Sequence, residues 1–290
     1  MGQKRNLTGS RMLITGASQG IGRAIAVQAV KAGVKVLAAA RNQQLLDELG
    51  REVHGLPGVL ETVQADVTSP DDRQKMADTA QRVFGGLDIL VNNAGIGATG
   101  HYADVQPDRL RKILREIMEV NFFGLTETTR VLLPMLKQGN KPAIVNISSI
   151  AGKRGIPARS LYSASKFAVQ GFSEALRAEL AKDGVDVLVV CPGLTQTNFS
   201  HNMLEQKALV QLDHLRGMTA EEAARQTLRA IAKGKNEVHL TLQGKLLVLV
   251  CRLFPRFADM IIRRKVLSLF KEEREARQQR RLAAAGKAAV

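Results

Sequence analysis

Two periodicities alternate along this chain, and that alternation limits its possible folds more than any other feature. Short apolar runs, "RMLIT", "VKVLAAA", "VLETVQA", "LDILVNNAG", "PAIVNISS", "VDVLVVCPG" and "EVHLTL", are separated by stretches whose apolar residues recur at helical spacing. A strand that is apolar at consecutive positions is buried on both faces. Such strands belong to parallel sheets, whose crossover helices cover both sides. The chain is therefore expected to be an α/β protein, a doubly wound parallel sheet of about seven strands with helices on both faces. Local signals mark helix starts: Ser69 as N-cap with Pro70 in the first turn, and a capping box from Thr219 to Glu222. No repeat or linker interrupts the pattern before about residue 243. Residues 1–242 read as one domain and residues 243–290 as a basic amphipathic helical extension.

Composition excludes several classes. Cys191 and Cys251 lie far apart with no C-x-x-C pairing, which fits a reducing cytosol and speaks against a disulfide scaffold. The five histidines show no ligand spacing, so no metal site is expected. The opening "MGQKRNLTGS" is polar and short, unlike a secretory segment, and a cytoplasmic protein is expected. The net charge is +15, and from Arg252 onward eleven Lys/Arg face four Asp/Glu, a net +7. Aromatic residues make up only 4% of the chain, too few for the stacking that accompanies nucleic-acid binding. No nucleic-acid partner is expected. An anionic ligand or an anionic membrane surface fits the charge better.

The segment "LITGASQGIG" places Gly16, Ser18, Gln19, Gly20, Ile21 and Gly22 between the first strand and the first helix. Glycine there permits a tight turn and lets backbone approach a pyrophosphate, which the helix N-terminus then faces with its N–H groups and positive dipole. With this loop the doubly wound sheet is of Rossmann type. The spacing is G-x-x-x-G-x-G. Other motifs follow in order: "ADV" at Ala65–Val67, "NNAG" at Asn92–Gly95, Asn121, Ser149, then Tyr162 and Lys166 thirteen and seventeen positions later, and "PGLTQT" from Pro192 to Thr197. Over roughly residues 10–242 the chain resembles the short-chain dehydrogenase/reductase family, in its shorter subgroup.

Tyr162 and Lys166 lie one turn apart on the helix "SLYSASKFAVQGFSEALRAEL" and so share a face. On that resemblance Tyr162 is the general acid/base for a carbonyl being reduced. A free phenol has a pKa of about 10, and a nearby ammonium favours its ionised form. Lys166 would supply that charge and hold the nicotinamide ribose. Ser149 would hydrogen-bond the substrate oxygen, and Asn121 would anchor water in a proton relay to Lys166. Asp66 and Val67 would flank the adenine, and Asn93, Ala94 and Gly95 the middle of the cofactor. Pro192, Gly193, Thr195 and Thr197 would meet the carboxamide. Asn92 reads equally as a contact or as a buried amide joining two strands.

Cofactor preference turns on the end of the second strand, "LAAARN". A carboxylate there would bind the ribose 2′-hydroxyl, but this chain has Ala40 and then Arg41, whose fork suits a 2′-phosphate. NADP(H) is favoured over NAD(H), with Ser18 and Asn42 as further candidates. Gln19 stands where many NADP-preferring relatives carry a second cation. Residues 197–218 correspond to a substrate lid. Phe199, Met203, Leu204, Leu209, Val210 and Leu212 there form either an apolar wall for a hydrophobic carbonyl or alcohol substrate, or the lid's own packing. The family's habit implies a homodimer or homotetramer. In the extension, Arg252, Arg256, Arg263, Arg264 and Lys265 alternate with apolar residues, which suits peripheral membrane contact, a partner subunit or the protein's own core. The whole reads as an oxidoreductase, with a non-catalytic NADPH-binding regulator as the alternative.

Overall fold

The computed structural model describes residues 2–197, 203–205, 217–269 and 275. Seven parallel strands form one sheet: β1 (Arg11–Thr15), β2 (Lys35–Ala40), β3 (Val59–Gln64), β4 (Ile89–Asn92), β5 (Ala143–Ile147), β6 (Asp186–Cys191) and β7 (Glu237–His239). Their order is β3-β2-β1-β4-β5-β6-β7. The chain thus builds outward from β1 to β3 and returns to add β4 on the other side of β1. That reversal opens a crevice at the carboxyl ends of β1 and β4, where doubly wound sheets bind ligands.

Strand periodicity divides the core. Met12 and Ile14 of β1 point into one apolar layer, with α1 (Gly20–Lys31), α2 (Gln43–Glu52) and α7 (Ala220–Ala232). Leu13 between them points into the opposite layer, with α3 (Pro70–Phe84), α5 (Gly124–Leu136) and α6 (Ser160–Glu179). The edge strand β3 departs from the expected apolar run, because its outer positions alternate with exposed ones and Val59 is solvent-facing.

Ser69 caps α3 by accepting from the Asp72 N–H at 3.2 Å, with Pro70 in the first turn. Thr219 likewise accepts from the Glu222 N–H at 3.1 Å. The Glu222 carboxylate turns instead to Arg225 and Gln226, so only half of the expected capping box forms. The polar opening segment is pinned down: Arg5 is buried and donates to the carbonyls of Ile231 and Lys141.

A second unit begins at Leu246. Its helical residues belong to α8 (Leu242–Leu253) and α9 (Pro255–Leu269). Leu246, Leu249, Leu253, Phe254, Phe257 and Ile261 are exposed, as are Arg252, Arg256, Arg263 and Arg264. Among the described residues, no helix is long and apolar enough to cross a membrane.

Candidate active site

A cleft of about 820 Å³ runs along the carboxyl edge of the sheet. Its first part is the turn from β1 into α1. Gly16 is left-handed (φ 64°), and a Cβ there would lie 2.8 Å from the Ala94 Cα. A Cβ on Gly22 would lie 2.3 Å from the Asn93 side-chain nitrogen and 2.4 Å from the Gly16 carbonyl oxygen. Gly22 therefore acts by close packing and does not line the cleft, whereas Gly16, Ser18, Gln19, Gly20 and Ile21 do. The loops after β1 and β4 are tied together. The Asn93 amide donates to the carbonyls of Thr15 and Gly16, and the Thr15 hydroxyl accepts from the N–H groups of Asn93 and Ala94.

The N-terminus of α1 differs from those of α2, α3 and α7. Each of those is capped by a side chain, whereas α1 has no side-chain cap and no acidic residue in its first turn. Its N–H groups and positive dipole end face the cleft without an internal anion, the arrangement a pyrophosphate needs. The residues present fit a dinucleotide.

Arg41, Asp66 and Val67 also line the cleft, with Arg41 largely exposed. Arg41 lies 3.8 Å from the Asp66 carboxylate, which itself accepts from the N–H and hydroxyl of Thr68. Asn42 spends its side-chain oxygen capping α2 through the Leu45 N–H at 3.1 Å. Asn42 also lines the cleft.

The cleft also gathers Ser149, Tyr162 and Lys166 with Asn93, Ala94, Gly95, Pro192, Gly193, Thr195 and Thr197. Helix α6 presents an unusual inner face. Tyr162, Ser163, Ser165, Lys166, Gln170 and Ser173 are buried, while Phe167 is 45% exposed. Apolar periodicity alone therefore captures only part of this inner face, which also holds Val169 and Leu176. Most of its buried polar groups are partnered: Ser173 accepts from Asn146, Ser165 from Asn121, and Gln170 donates to Ser148, although the Gln170 side-chain oxygen has no partner.

Burial raises the Tyr162 pKa, opposed by the Ser149 hydroxyl hydrogen bond and by the positive charge of Arg159. Arg159, a residue that sequence reasoning did not single out, lines the cleft three residues before Tyr162. The Lys166 ammonium lies 5.8 Å from the tyrosine ring centroid and donates to the Ile147 carbonyl at 2.9 Å. Burial brings its pKa down to about 8, opposed by the Cys191 thiol. Arg159 lacked any motif; its only sequence signal was a position three residues before the tyrosine.

Asn121 sits in a π-helical turn, residues 119–123, between α4 (Pro107–Met118) and α5. Its side chain donates to the Ile96 carbonyl and the Ser165 hydroxyl, and accepts from the Ile96 N–H. It does not line the cleft, and these bonds tie the loop after β4 to α6. Asn92 also lies outside the cleft lining and joins β4 to β5 and α5 through Asn146 and Thr129.

Behind the cleft the structure assembles a cluster that spacing did not reveal. The ligand atoms of Cys191, Glu237 and His239 lie within 4.8 Å of one another. A metal is disfavoured there because the Lys153 ammonium already sits 2.7 Å from Glu237. Burial, and then the Glu237 charge, also push the Cys191 thiol up to about 12.

Of residues 197–218, expected to form a lid, Thr197, Met203, Leu204, Glu205, Gly217 and Met218 are described. Phe199, Leu209, Val210 and Leu212 lie outside the described residues. Leu204 packs on Ala98, Ile113 and Ile117, and its N–H donates to the Gly97 carbonyl at 2.9 Å. Glu205 pairs with Arg109 at 3.1 Å.

The sequence profile for short chain dehydrogenase matches residues 10–208. The chain is 36% identical over 249 residues to dehydrogenase/reductase SDR family member 7B of Mus musculus, covering 82% of this chain and 75% of that one. A short-chain dehydrogenase/reductase from Burkholderia phymatum, solved in complex with NAD, superposes with a TM-score of 0.76 at 26% identity, covering 86% and 94%. A short chain dehydrogenase from Burkholderia cenocepacia, solved with NADP, gives 0.74 at 26% identity, covering 89% and 99%.

Proposed function

Because this chain belongs to the short-chain dehydrogenase family and is an oxidoreductase, we propose that it interconverts a carbonyl and an alcohol with NADP(H), on a hydrophobic substrate, through Tyr162. The observation that carries this reading is the buried phenol of Tyr162, hydrogen-bonded to Ser149 and facing a dinucleotide-sized cleft. The bound nicotinamide supplies hydride exchange with the carbonyl carbon. Ser149 orients the carbonyl oxygen, and Tyr162 gives it a proton in reduction or takes one in oxidation. Lys166, poised near pH 8 and one turn along the helix, holds the ribose side and passes the proton onward. With its side chain committed to Ile96 and Ser165, Asn121 serves this relay by fixing the position of α6.

The preference for NADP(H) rests on Arg41 at the cleft edge and on the absence of a carboxylate at the end of β2. The two nicotinamide-bound relatives, one with NAD and one with NADP, are equally similar in fold and support either cofactor. The exposed Phe123 and Phe167 on neighbouring helices support a homo-oligomer, and the arginine-flanked apolar face of α8 and α9 supports reversible contact of a cytoplasmic enzyme with anionic membrane.

The test is a panel of ketones and aldehydes followed by NADPH consumption. Tyr162→Phe is expected to lose about a thousandfold or more in kcat while NADPH affinity stays within about twofold. Full turnover by Tyr162→Phe would overturn the assignment, and absence of turnover by the wild type would leave a cofactor-binding regulator.

A further inference from the structure

We propose that Leu204 is a specificity-determining residue, and that the Arg109–Glu205 ion pair is the clasp that sets its position. Seated on an apolar cluster next to the cleft, Leu204 limits the bulk of the apolar group that a carbonyl substrate can carry. The inference rests on the carbonyl–alcohol reading given above.

Helix α4 supplies both the charge and the apolar floor from one face. Arg109, Ile113 and Ile117 recur at four-residue spacing, so the guanidinium stands one turn from two buried isoleucines. Ile113, Ile117 and Ala98 form a small cluster against which Ile96, Val105, Leu161 and Leu204 pack. Two of these reach the reaction: Ile96 lines the cleft, and Leu161 immediately precedes Tyr162. A substituent that turns toward Ile96 from a carbonyl held at Tyr162 therefore meets this cluster. The cavity that remains beside it, lined in part by Ala98, Val105, Leu161 and Glu205, holds about 20 Å³. That is space for a water molecule and not for a ring.

Both backbone groups of Leu204 are held. Its N–H donates to the Gly97 carbonyl at 2.9 Å, and its carbonyl accepts from the Arg109 Nη2 at 2.7 Å. The next residue, Glu205, accepts at its carboxylate from the Arg109 Nε at 3.1 Å and at its carbonyl from the Thr99 N–H at 2.8 Å. The Glu205 side chain is 9% exposed, against 40% for Arg109. A carboxylate so far out of water is costly unless paired, so Arg109 is needed to keep residues 203–205 seated. The loop they grip is itself fixed, since the Gly100 N–H donates to the Ala158 carbonyl just before α6. Apolar packing by itself is non-directional and would accept Leu204 at several depths. The arginine fork, spanning a carbonyl and a carboxylate of adjacent residues, selects one.

The test compares acetophenone with acetonaphthone, which adds a fused ring. Leu204→Ala should raise the preference for acetonaphthone, as a ratio of kcat/KM values, by about tenfold, and Leu204→Phe should lower it by a similar factor. Arg109→Gln and Glu205→Gln should each shift the preference in the direction of Leu204→Ala, and the double variant should go no further than either single one. None of the three residues lines the cleft, so NADPH affinity should stay within about twofold throughout. A structural role would slow both ketones together and leave their ratio fixed. Saturation-transfer NMR reads the same preference without turnover, as relative binding of the two ketones to the NADPH complex. If the wild type binds both ketones and reduces neither, the reaction reading fails, while the binding ratios still decide the role of Leu204. Ratios unmoved in both Leu204 variants, shifts that add in the Arg109 and Glu205 double variant, or failure of either ketone to bind Leu204→Ala would overturn the proposal.

Discussion

Replacing Glu237 with glutamine should destabilise the protein at neutral pH and leave it nearly unaffected in acid. Glu237 lies on β7 beside His239 at 2.7 Å and receives a hydrogen bond from Lys153, on the loop after β5, also at 2.7 Å. The imidazole Nε2 is close to the carboxylate but lacks an aligned hydrogen bond. His239, opposed by burial and joined by Lys153, holds the Glu237 carboxyl down at about 2. A shift from 4.5 to about 2 corresponds to about 3 kcal/mol at pH 7. The side chain is 29% exposed, so water screens the pair, and about 1–2 kcal/mol is the expected loss. The sign follows from the direction of the shift. A depressed carboxyl contributes fully above its unfolded value of 4.5 and progressively less as pH falls toward 2. Urea unfolding, which adds no screening salt, should place the Glu237→Gln midpoint about 0.5 M below wild type at pH 7. The gap should narrow between pH 5 and pH 3. A gap of constant size over that range would mean the substitution acts through packing, and no gap at pH 7 would mean the cluster is fully screened.

Further outcomes follow from the site and the second unit. Gly22→Ala should abolish measurable dinucleotide binding, because its Cβ has no room against the Gly16 carbonyl and the Asn93 amide; unchanged affinity by cofactor titration would contradict this. Arg41→Ala should weaken NADPH binding by about tenfold or more and leave NADH within about twofold, whereas equal losses would remove Arg41 from phosphate recognition. Phe254→Glu with Phe257→Glu should lower co-sedimentation with vesicles containing phosphatidylserine, and undiminished sedimentation would dismiss α8 and α9 as the membrane contact.

Much of the fold was legible because its signals are local. The strands were visible as apolar runs, the α3 start as Ser69-Pro70, and the nucleotide turn as its glycines. Less legible was anything produced by side chains meeting across the sheet. Arg5 stood in an opening segment read only as polar and short, yet it is buried because it reaches carbonyls contributed by residues 141 and 231. Cys191, Glu237 and His239 converge only because β6 and β7 pair in register, with Cys191 opposite His239. The cleft residues were found through ordered motifs, but a motif says which residues recur and not which charge faces which atom. For that reason Lys166 was read as the cation near Tyr162, and its ammonium lies 5.8 Å from that ring, while Arg159, which no motif marks, lines the same cleft.

The mixed inner face of α6 has a consequence for how this protein can vary. Along that helix, hydropathy alone is a poor guide to tolerance: a swap of Ser173 for alanine or valine strands the buried Asn146 amide, and a swap of the fully buried Val169 for a polar residue breaks the same face. Drift in this stretch should therefore spare the buried hydroxyls together with Val169 and Leu176, and fall on exposed positions such as Ala164 and Ala178.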